Sequence, residues 1–517
     1  MDILIVIGNI LLFIFVLSVV ICIHELGHFF FAKRAGILCH EFAFGMGPRV
    51  WSKKVGETTF SIRAFPFGGF VSMSGEEINK ELVAKGDTVK LMFDDQGHVK
   101  RIIVKPKANA YSDIDNTQVE KIDLWGAEMS PLYINDFTVR RDAYYMLDGI
   151  DQQIAPQERN FNSKNKRNRF MVTIAGAMMN IILALFVFLF IALVWGVADP
   201  ASTVISEVSP DTPAYNVLEP GDQIIAINGV IIFSWSVDDG AASVNSELSK
   251  YAEADSFIFT VVRDGETITL DPIKPQFIFY GLGFTSAPES DDLIIGTPLY
   301  TETELLSGDL ILSIDGTSFA SWADLIAFAN TYEGSNEDAP TSIVVDRDGE
   351  IKTFEYVAYN SKTLSAMGYE AFYSRVGISG SSHFSFFGSF QAAMVSLYNS
   401  SISIYRTLGL LFTSDQVGIG DLSGFIGIYS ITANAAAQGL RSLLSWVGLL
   451  SVNLGIVNLL PIPALDGGRL VFIVYEAITK KKPNQRIENM LHTAVLFLLL
   501  GLMVFITYKD ILRLFGI

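Results

Sequence analysis

Cysteine is almost absent from this sequence. Its 517 residues include only Cys22 and Cys39, which excludes a disulfide framework as the basis of the fold. Cys22 lies two residues before His24, and on a helix this spacing places the two side chains on different faces. We therefore interpret Cys22 as a packing residue.

Charge is absent from four long segments. Residues 3–23, 170–198, 442–465 and 489–508 contain no Asp, Glu, Lys or Arg, and a bilayer core needs about 20 apolar residues per helix. The first segment lacks the basic start and the small-residue cleavage site of a secretory signal. We therefore expect a polytopic α-helical membrane protein with four transmembrane helices, within 1–34, 169–198, 441–470 and 488–508.

Acidic residues are concentrated between the second and third of these segments. Residues 199–390 hold 29 acidic and 7 basic residues, in a chain whose formal net charge is −18. Basic clusters lie at 33–34, 164–169 and 480–486. The positive-inside rule places these clusters in the cytoplasm, so the acidic block and both termini are predicted to be outside. The acidic block also argues against nucleic acid as a partner.

Residues 35–168 are predicted to form a cytoplasmic β-rich region. The stretch TVKLMFDDQGHVKRIIVK alternates around a turn signal, which is typical of a hairpin. A second hairpin is predicted at 58–76, where Pro66, Gly68 and Gly69 interrupt TTFSIRAFPFGGFVSMSGE. Because its apolar faces are unusual for a loop, we expect this hairpin to associate with the membrane.

The acidic block contains an internal repeat. GDQIIAING at 221–229 matches GDLILSIDG at 308–316, and VRDGE at 262–266 matches DRDGE at 346–350. Two copies of one domain are therefore expected, at 203–280 and 281–376. Their short strands and glycine turns resemble PDZ domains, and GLGF at 281–284 can expose N–H groups to a peptide carboxylate. A generic β-rich ectodomain is the alternative.

The segment that follows the repeat is also poor in charge. Residues 376–405 contain no Asp, Glu, Lys or Arg, but Ser, Asn, Gln and Tyr are scattered along them. We predict an interfacial amphipathic helix and connector over 377–440, lying on the outer surface of the membrane without crossing it.

The end of the first apolar segment carries the motif HELGH. Ionisable groups in a membrane-length segment are costly and usually functional. His24 and His28 are four residues apart, so they share one face of a helix. Two such histidines can bind one zinc ion, and Glu25 between them can act as general base.

Zinc requires a further protein ligand. The stretch NLGIVNLLPIPALDGGRL at 453–470 is interrupted by Pro461 and Pro463 before it reaches Asp466. Irregular backbone at membrane depth is tolerated only where it lines protein or a cavity, so Asp466 is the favoured third ligand and His40 the alternative. With four spans Asp466 emerges on the side of HELGH; a further crossing by 376–405 would place it on the opposite side.

HELGH in a first transmembrane helix, NLLPIPALDGG and PDZ-like domains between the central spans together resemble the site-2 protease family. The resemblance implies a zinc-dependent intramembrane endopeptidase of a bacterial cytoplasmic membrane. Such enzymes cut transmembrane segments of single-pass membrane proteins, including anti-sigma factors, that an upstream site-1-type protease has already shortened. They also cut remnant signal peptides.

The resemblance assigns roles to single residues. It implies that His24, His28 and Asp466 bind zinc and that Glu25 is the general base. It also implies that Asn458 contacts substrate or stabilises the oxyanion. Asn180 in AGAMMNI matches an asparagine of the second span, although the family often has Pro where this chain has Ala177. The stretch 77–159 is longer than in some members.

A substrate helix must unwind before its carbonyl groups can be attacked, and a sheet edge can hold it extended. The stretch FPFGGFVSM at 65–73, within the predicted hairpin, is our candidate for that edge, and the family suggests the same. The residues predicted to contact substrate are Phe67, Gly68, Gly69, Phe70, Asn458, Pro461 and Pro463.

Two other functions compete with the protease. The first is a membrane PDZ receptor with a structural metal, which Glu25 argues against because a structural site needs no base. The second is a metal transporter, which would need polar groups at several depths. The second and fourth spans offer only Asn180 and His492.

Overall fold

The computed structural model describes residues 3–76, 82–104, 111, 113–147, 150–210, 212–237, 241–250, 256–287, 290–300, 303–336, 338–367, 370–414, 422 and 424–514. The chain divides into two compact units. The first consists of Met1–Val187 and Ile431–Leu502, and the second of Phe188–Ser430 and Met503–Ile517.

The helices in chain order are α1 (Ile3–Arg34), α2 (Lys166–Trp195), α3 (Val244–Leu248), α4 (Trp322–Thr331), α5 (Ser361–Met367), α6 (Phe386–Thr413), α7 (Phe425–Ala437), α8 (Leu440–Leu459), α9 (Asp466–Thr479) and α10 (Gln485–Leu514). Within the described residues, α1, α2, α8 and α10 are long and apolar enough to cross a membrane. This confirms the four predicted spans.

The third span is shorter than its uncharged run. Helix α8 ends at Leu459, and Leu460 is extended with ψ of 143°. A residue that precedes proline avoids the helical region, so the helix ends at Leu459, seven residues before Asp466. The predicted span 441–470 is therefore helical only as far as Leu459, and the interruption expected at Pro461 and Pro463 is present. A separate helix, α9, begins at Asp466 itself, and the sequence analysis did not predict it.

The strands are β1 (Cys39–Val55), β2 (Thr58–Met73), β3 (Thr88–Phe93), β4 (Val99–Val104), β5 (Asn116–Gln118), β6 (Ile122–Asp123), β7 (Leu132–Ile134), β8 (Phe137–Leu147), β9 (Ile150–Gln153), β10 (Val197–Ala198), β11 (Ile205–Val208), β12 (Gln223–Ile227), β13 (Val230–Ile231), β14 (Phe259–Arg263), β15 (Glu266–Thr269), β16 (Gln276–Phe279), β17 (Phe284–Ser286), β18 (Ile295–Pro298), β19 (Leu310–Ile314), β20 (Thr341–Arg347), β21 (Glu350–Tyr356), β22 (Tyr373–Arg375), β23 (Ile378–Gly380) and β24 (Ser382–His383).

Strands β1 and β2 form a sheet that differs from the predicted hairpin at 58–76. Glu41 is opposite both Thr59 and Ser72, and Phe44 is opposite both Ile62 and Gly69. Segment 41–44 therefore lies between the two arms of 58–73, and the arms do not pair with each other as predicted. The alternation of apolar and polar residues determines which face of a strand is buried, but it does not determine which other strand pairs with it. The pairing of 41–44 with both arms could therefore not be predicted from the local sequence.

Residues 82–154, which we call the sheet domain, contain a seven-stranded sheet. Its order is β5-β3-β4-β8-β7-β6, and β9 pairs with β8. The predicted hairpin of β3 and β4 is confirmed. Its turn contains Gly97, at φ of +80°, and the Asp94 carboxylate accepts N–H bonds from Gln96 and His98. Buried aliphatic side chains give the domain its own core.

The sequence repeat in the second unit is a structural repeat. Each copy of the GD motif leads into a strand, β12 or β19, and each RDGE motif forms the turn of a hairpin. Asp222 pairs with Arg263 at 2.7 Å, and Asp309 pairs with Arg347 at 2.7 Å. The same buried carboxylate thus holds the same hairpin in both copies.

The two copies have separate cores that are nested along the chain. One core is built on Ile205–Ile273 and the other on Phe279–Phe372. Val376 then returns to the first core, and β11 pairs with β23. The predicted connector at 377–440 therefore begins with a strand of the first copy. It continues into α6, which is not among the four candidate spans and exposes aromatic side chains such as Phe387 and Phe412.

Candidate metal centre and active site

Helix α1 presents two histidines on one face. His24 and His28 are one turn apart, and both are buried. Their Nε2 atoms are 3.1 Å from each other. The predicted pairing of the HELGH histidines is therefore present in the structure, with both free nitrogens pointing to the same place.

The bend between α8 and α9 brings Asp466 to this pair. Its Oδ2 atom is 3.2 Å from Nε2 of His24 and 3.2 Å from Nε2 of His28. The bend is tight, because a Cβ at Gly467 would lie 2.0 Å from the carbonyl oxygen of Leu460. Ala464 has φ of +83°, a left-handed conformation that is costly for a residue with a side chain. The LDGG sequence thus allows a turn that a larger residue would block.

The three ligand atoms fit a zinc ion. Zinc bonds to histidine nitrogen and carboxylate oxygen are about 2.0–2.2 Å long, so tetrahedral neighbours are about 3.3–3.5 Å apart. The observed separations of 3.1 and 3.2 Å are close to this. Two imidazole nitrogens and a carboxylate oxygen converging in a buried place are a donor set that a zinc ion would satisfy. Among the described residues, these three form the only such group of possible metal ligands.

Helix α2 packs against the histidines through a residue without a side chain. A Cβ at Gly176 would lie 2.3 Å from Nε2 of His28 and 2.8 Å from Cε1 of His24. Glycine therefore leaves the space beside the nitrogens that a metal would need. The sequence analysis did not identify Gly176, although it lies four residues before Asn180 and so shares its helix face.

The second nitrogen of each imidazole also has a partner on α2. Nδ1 of His28 is 2.8 Å from the carbonyl oxygen of Val172, so it carries the proton and leaves Nε2 free for a metal. Nδ1 of His24 is 3.4 Å from the Asn180 amide. The Asn180 Oδ1 atom is buried without a partner among the described residues, and rotation of the amide would let it accept from Nδ1–H. The predicted support from Asn180 is thus close to His24.

Glu25 faces strand β2. Its Oε2 atom accepts the N–H of Val71 at 3.1 Å, and a Cβ at Gly69 would be 3.7 Å from its Cγ. Seven residues before Glu25, about two helical turns along the same face, the hydroxyl of Ser18 donates to the carbonyl oxygen of Pro66 at 2.7 Å. Segment 66–71, which contains the predicted substrate-contacting residues of β2, therefore lies along the face of α1 that carries Glu25, the predicted general base.

The other residues predicted to contact substrate lie on β2, on α8 and in the bend that follows α8. Asn458 is in the last turn of α8, and the two prolines, 461 and 463, form the bend before Asp466. Gly68 has φ of +82°, and the guanidinium of Arg63 lies 4.8 Å from the ring of Phe70. Phe67 lies in β2. Contact of these residues with a substrate remains a prediction.

The alternative ligand His40 is placed elsewhere. Its Nε2 atom is 2.6 Å from the hydroxyl of Ser74, and it does not belong to the group formed by Asp466 and the HELGH histidines. Burial lowers the pKa of His40 to about 4. The imidazole is therefore neutral at physiological pH.

A contact that the sequence analysis missed supports the bend. Nδ1 of His492, on α10, accepts the N–H of Ala464 at 2.8 Å. This N–H belongs to irregular backbone between two helices, where it has no partner within a helix and an unpaired buried donor is costly. The lone histidine in the fourth span was the available signal, but its partner could not be chosen from sequence.

Comparisons with known proteins agree with this geometry. Residues 12–502 match the profile of peptidase family M50. The chain is 32% identical to zinc metalloprotease RasP of Bacillus licheniformis and 31% identical to that of Shouchella clausii, covering 98% of this chain and 100% of each relative. It is 31% identical to the regulator of sigma-W protease RasP of Bacillus subtilis, over 98% of this chain and 99% of that protein.

The match extends over almost the whole chain, including the helices that carry the histidines and Asp466. The motifs also resemble those of the bacterial regulator of sigma-E protease, and a regulator of sigma-W protease is among the relatives. The chain belongs to peptidase family M50, the site-2 protease family, and is a membrane metalloprotease that uses zinc.

Proposed function

We propose that this protein is an intramembrane endopeptidase that cuts transmembrane segments in regulated intramembrane proteolysis. The observation that carries the proposal is the meeting of a candidate zinc site, a carboxylate and an extended strand on one face of α1. Glu25 lies beside both histidines in sequence and accepts a hydrogen bond from Val71 of β2. A substrate strand aligned with β2 would place its backbone carbonyls next to the base and the metal ligands.

In this proposal each residue has one task. His24, His28 and Asp466 would hold zinc, which when bound would act as a Lewis acid and lower the pKa of a water to about 7. Glu25 accepts a proton from the attacking water and returns it to the leaving amine. The N–H of Val71 fixes the direction of the Glu25 carboxylate.

Other residues orient the ligands and the substrate. The carbonyl of Val172 and the amide of Asn180 fix the two imidazole rings, since such partners set the tautomer and orientation of metal-ligating histidines. We assign Asn458 to the substrate or to the developing oxyanion. Segment 67–70, together with Pro461 and Pro463, would contact the unwound substrate.

The substrates in this proposal are single-pass membrane proteins already shortened by another protease, together with remnant signal peptides. The relative named as a regulator of sigma-W protease supports anti-sigma factors as one class. The distribution of basic clusters supports both termini outside a bacterial cytoplasmic membrane, with the sheet domain and zinc on the inner side.

Glu25→Gln tests the assignment of the base. The amide keeps the size of the side chain and loses its basicity, so cleavage of a test transmembrane peptide by the purified protein should fall below detection while bound zinc is retained. Near-normal turnover by this variant would remove Glu25 from the mechanism.

Asp466→Ala tests the ligand set independently. We expect zinc content and activity to fall together, because only two ligands remain. Full zinc occupancy in this variant would point to a different third ligand. His40→Ala is the matched control, since His40 bonds to Ser74 and should retain zinc.

The repeated domains are proposed to be PDZ-like and to act as a gate outside the membrane, which excludes substrates that still carry a large folded outer domain. Because Val376 and β23 belong to the first copy, a deletion that removes both copies must extend beyond residue 376. Ala198 is paired with Ser382, so a short glycine-rich linker can replace 199–381.

The gate predicts that the deleted protein cuts a substrate with a short outer stub and begins to cut the untrimmed one. Loss of cleavage of the short-stub substrate, in a protein that keeps its zinc, would show instead that the domains deliver substrate directly.

A further inference from the structure

A cavity of about 890 Å³ lies between strand β2 and the sheet domain. Seven consecutive residues, 70–76, line one side of it. The opposite side is formed by the sheet domain, through residues that include Trp125, Tyr145 and Gln153.

The cavity reaches a residue that contacts the proposed catalytic centre. Val71 lines it, and the N–H of Val71 is the donor to the Glu25 carboxylate. Arg469, three residues after the ligand Asp466, lines it as well and is paired with Glu76. A polypeptide held along β2 at the centre can therefore continue into this space without leaving the protein surface.

The sheet domain presents strand edges to the cavity. Residues of β6 and β9 line it, and among the described residues β6 pairs only with β7 and β9 only with β8. An edge with unpaired backbone groups is the kind of surface on which an extended peptide adds as a further strand.

A buried polar atom in the lining supports a ligand that donates hydrogen bonds. Gln153 is 8% exposed, and its Oε1 atom has no hydrogen-bond partner among the described residues. Such an atom is costly unless a ligand or water satisfies it. The N–H groups of an extended peptide are donors of this kind.

The charges in the lining favour an uncharged peptide with apolar side chains. Glu76 and Arg469 neutralise each other, and the carboxylate of Asp123 accepts the N–H groups of Trp125 and Gly126. Ile122, Leu124 and the half-exposed ring of Trp125 supply apolar surface.

We propose that this cavity binds, in extended form, the substrate segment that flanks the scissile bond on the side of the sheet domain. The proposal rests on the proposed protease function and adds a binding site to it. The sheet domain would then select substrates by the sequence of this flank, in addition to the selection made in the membrane.

Two substrates test the proposal with the full-length zinc-loaded protein. Both carry the same transmembrane segment; one has an uncharged flank of twelve residues with apolar side chains, and the other is cut back to two residues. The variants are Gln153→Leu and Trp125→Ala, and Tyr133→Ala is the control, because Tyr133 is on β7 of the same sheet and does not line the cavity.

We expect both cavity variants to raise KM for the long-flank substrate about tenfold, with kcat unchanged. Their KM for the short-flank substrate should not change, and the control Tyr133→Ala should cleave both substrates like the unmodified protein. Equal loss on both substrates, or no loss on either, would overturn the proposal while leaving the protease function intact. Failure of the unmodified protein to cut either substrate would overturn the protease function itself.

Crosslinking supplies a readout that does not depend on turnover. A photoreactive benzophenone amino acid at position 125, in the Glu25→Gln background, should attach to the long flank, whereas the same group at position 133 should not. Equal labelling from both positions, or no labelling from position 125, would also overturn the proposal.

Discussion

Replacement of Gly176 by alanine should empty the zinc site while leaving the fold intact. The added Cβ would lie 2.3 Å from Nε2 of His28 and 2.8 Å from Cε1 of His24. Ordinary contacts of carbon are about 3.5 Å or longer, so the ring of His28 must move by about 1 Å. That ring is held by the carbonyl of Val172 at 2.8 Å and cannot turn aside freely. Metal sites tolerate changes of only about 0.2 Å in ligand distance.

The expected loss is therefore large for zinc and moderate for stability. Disturbing a residue that merely orients a ligand costs about 10- to 100-fold in metal affinity, so displacing a ligand nitrogen should cost about 100-fold or more. Overpacking by one methyl group costs about 1–3 kcal/mol of unfolding free energy. We expect the protein to remain folded after a loss of this size.

Zinc content after dialysis against a graded chelator series measures the effect, and a thermal unfolding scan shows whether the protein is folded. Gly501→Ala is the matched control, since it is also a glycine within a candidate membrane helix, and a Cβ there meets no atom within 4 Å. If Gly176→Ala retains zinc as firmly as the unmodified protein, the proposed position of the metal between these side chains is wrong.

Three further predictions concern other parts of the chain. The pKa of His40 is near 6.5 in the unfolded chain and about 4 in the folded protein, so the unfolded chain binds more protons between these two pH values. Lowering the pH from about 6.5 to 4 should therefore reduce the unfolding free energy by up to about 3 kcal/mol, a slope that His40→Asn should flatten in thermal scans. Asp309→Ala should lower the unfolding free energy by about 3 kcal/mol, because Arg347 loses its buried partner. The variant should be digested by a protease faster than the unmodified protein while its zinc content stays the same. His492→Leu removes the acceptor for the Ala464 N–H and should weaken zinc retention about tenfold, whereas His492→Asn, whose amide oxygen takes the place of Nδ1, should preserve it in the same chelator assay.

The parts of this structure that could be predicted follow from local rules. Four residues complete about one helical turn, so the two HELGH histidines had to share a face once their segment was helical. The length of the uncharged runs similarly determined the four candidate spans. Asp466 followed from a proline-broken segment, because irregular backbone within a membrane needs a purpose. The repeated GD and RDGE motifs predicted a structural repeat, and the paired Asp222 and Asp309 show what the repeated aspartate does.

The parts that could not be predicted depend on partners distant in sequence. Segment 41–44 lies between two arms of β2, although the arms alone have the pattern of a hairpin. Gly176 matters because α2 passes close to His28, and the local sequence AGAMMNI does not predict how closely the two helices pack. The strand at 378–380 returns to the first copy of the repeat, across about 100 residues of the second copy.

The irregular elements of the first unit depend on one another because none can satisfy its polar groups alone. The left-handed turn at Ala464 leaves an N–H that only a side chain from α10 accepts among the described residues. The N–H of Val71 on β2 similarly has the Glu25 carboxylate as acceptor, and that carboxylate would be costly in α1 without a donor. Each motif is therefore a weak signal by itself and a strong one in combination. A chain that kept HELGH but lost the bend or β2 would bury unpaired polar groups, and its first helix would be more stable with apolar residues in their place.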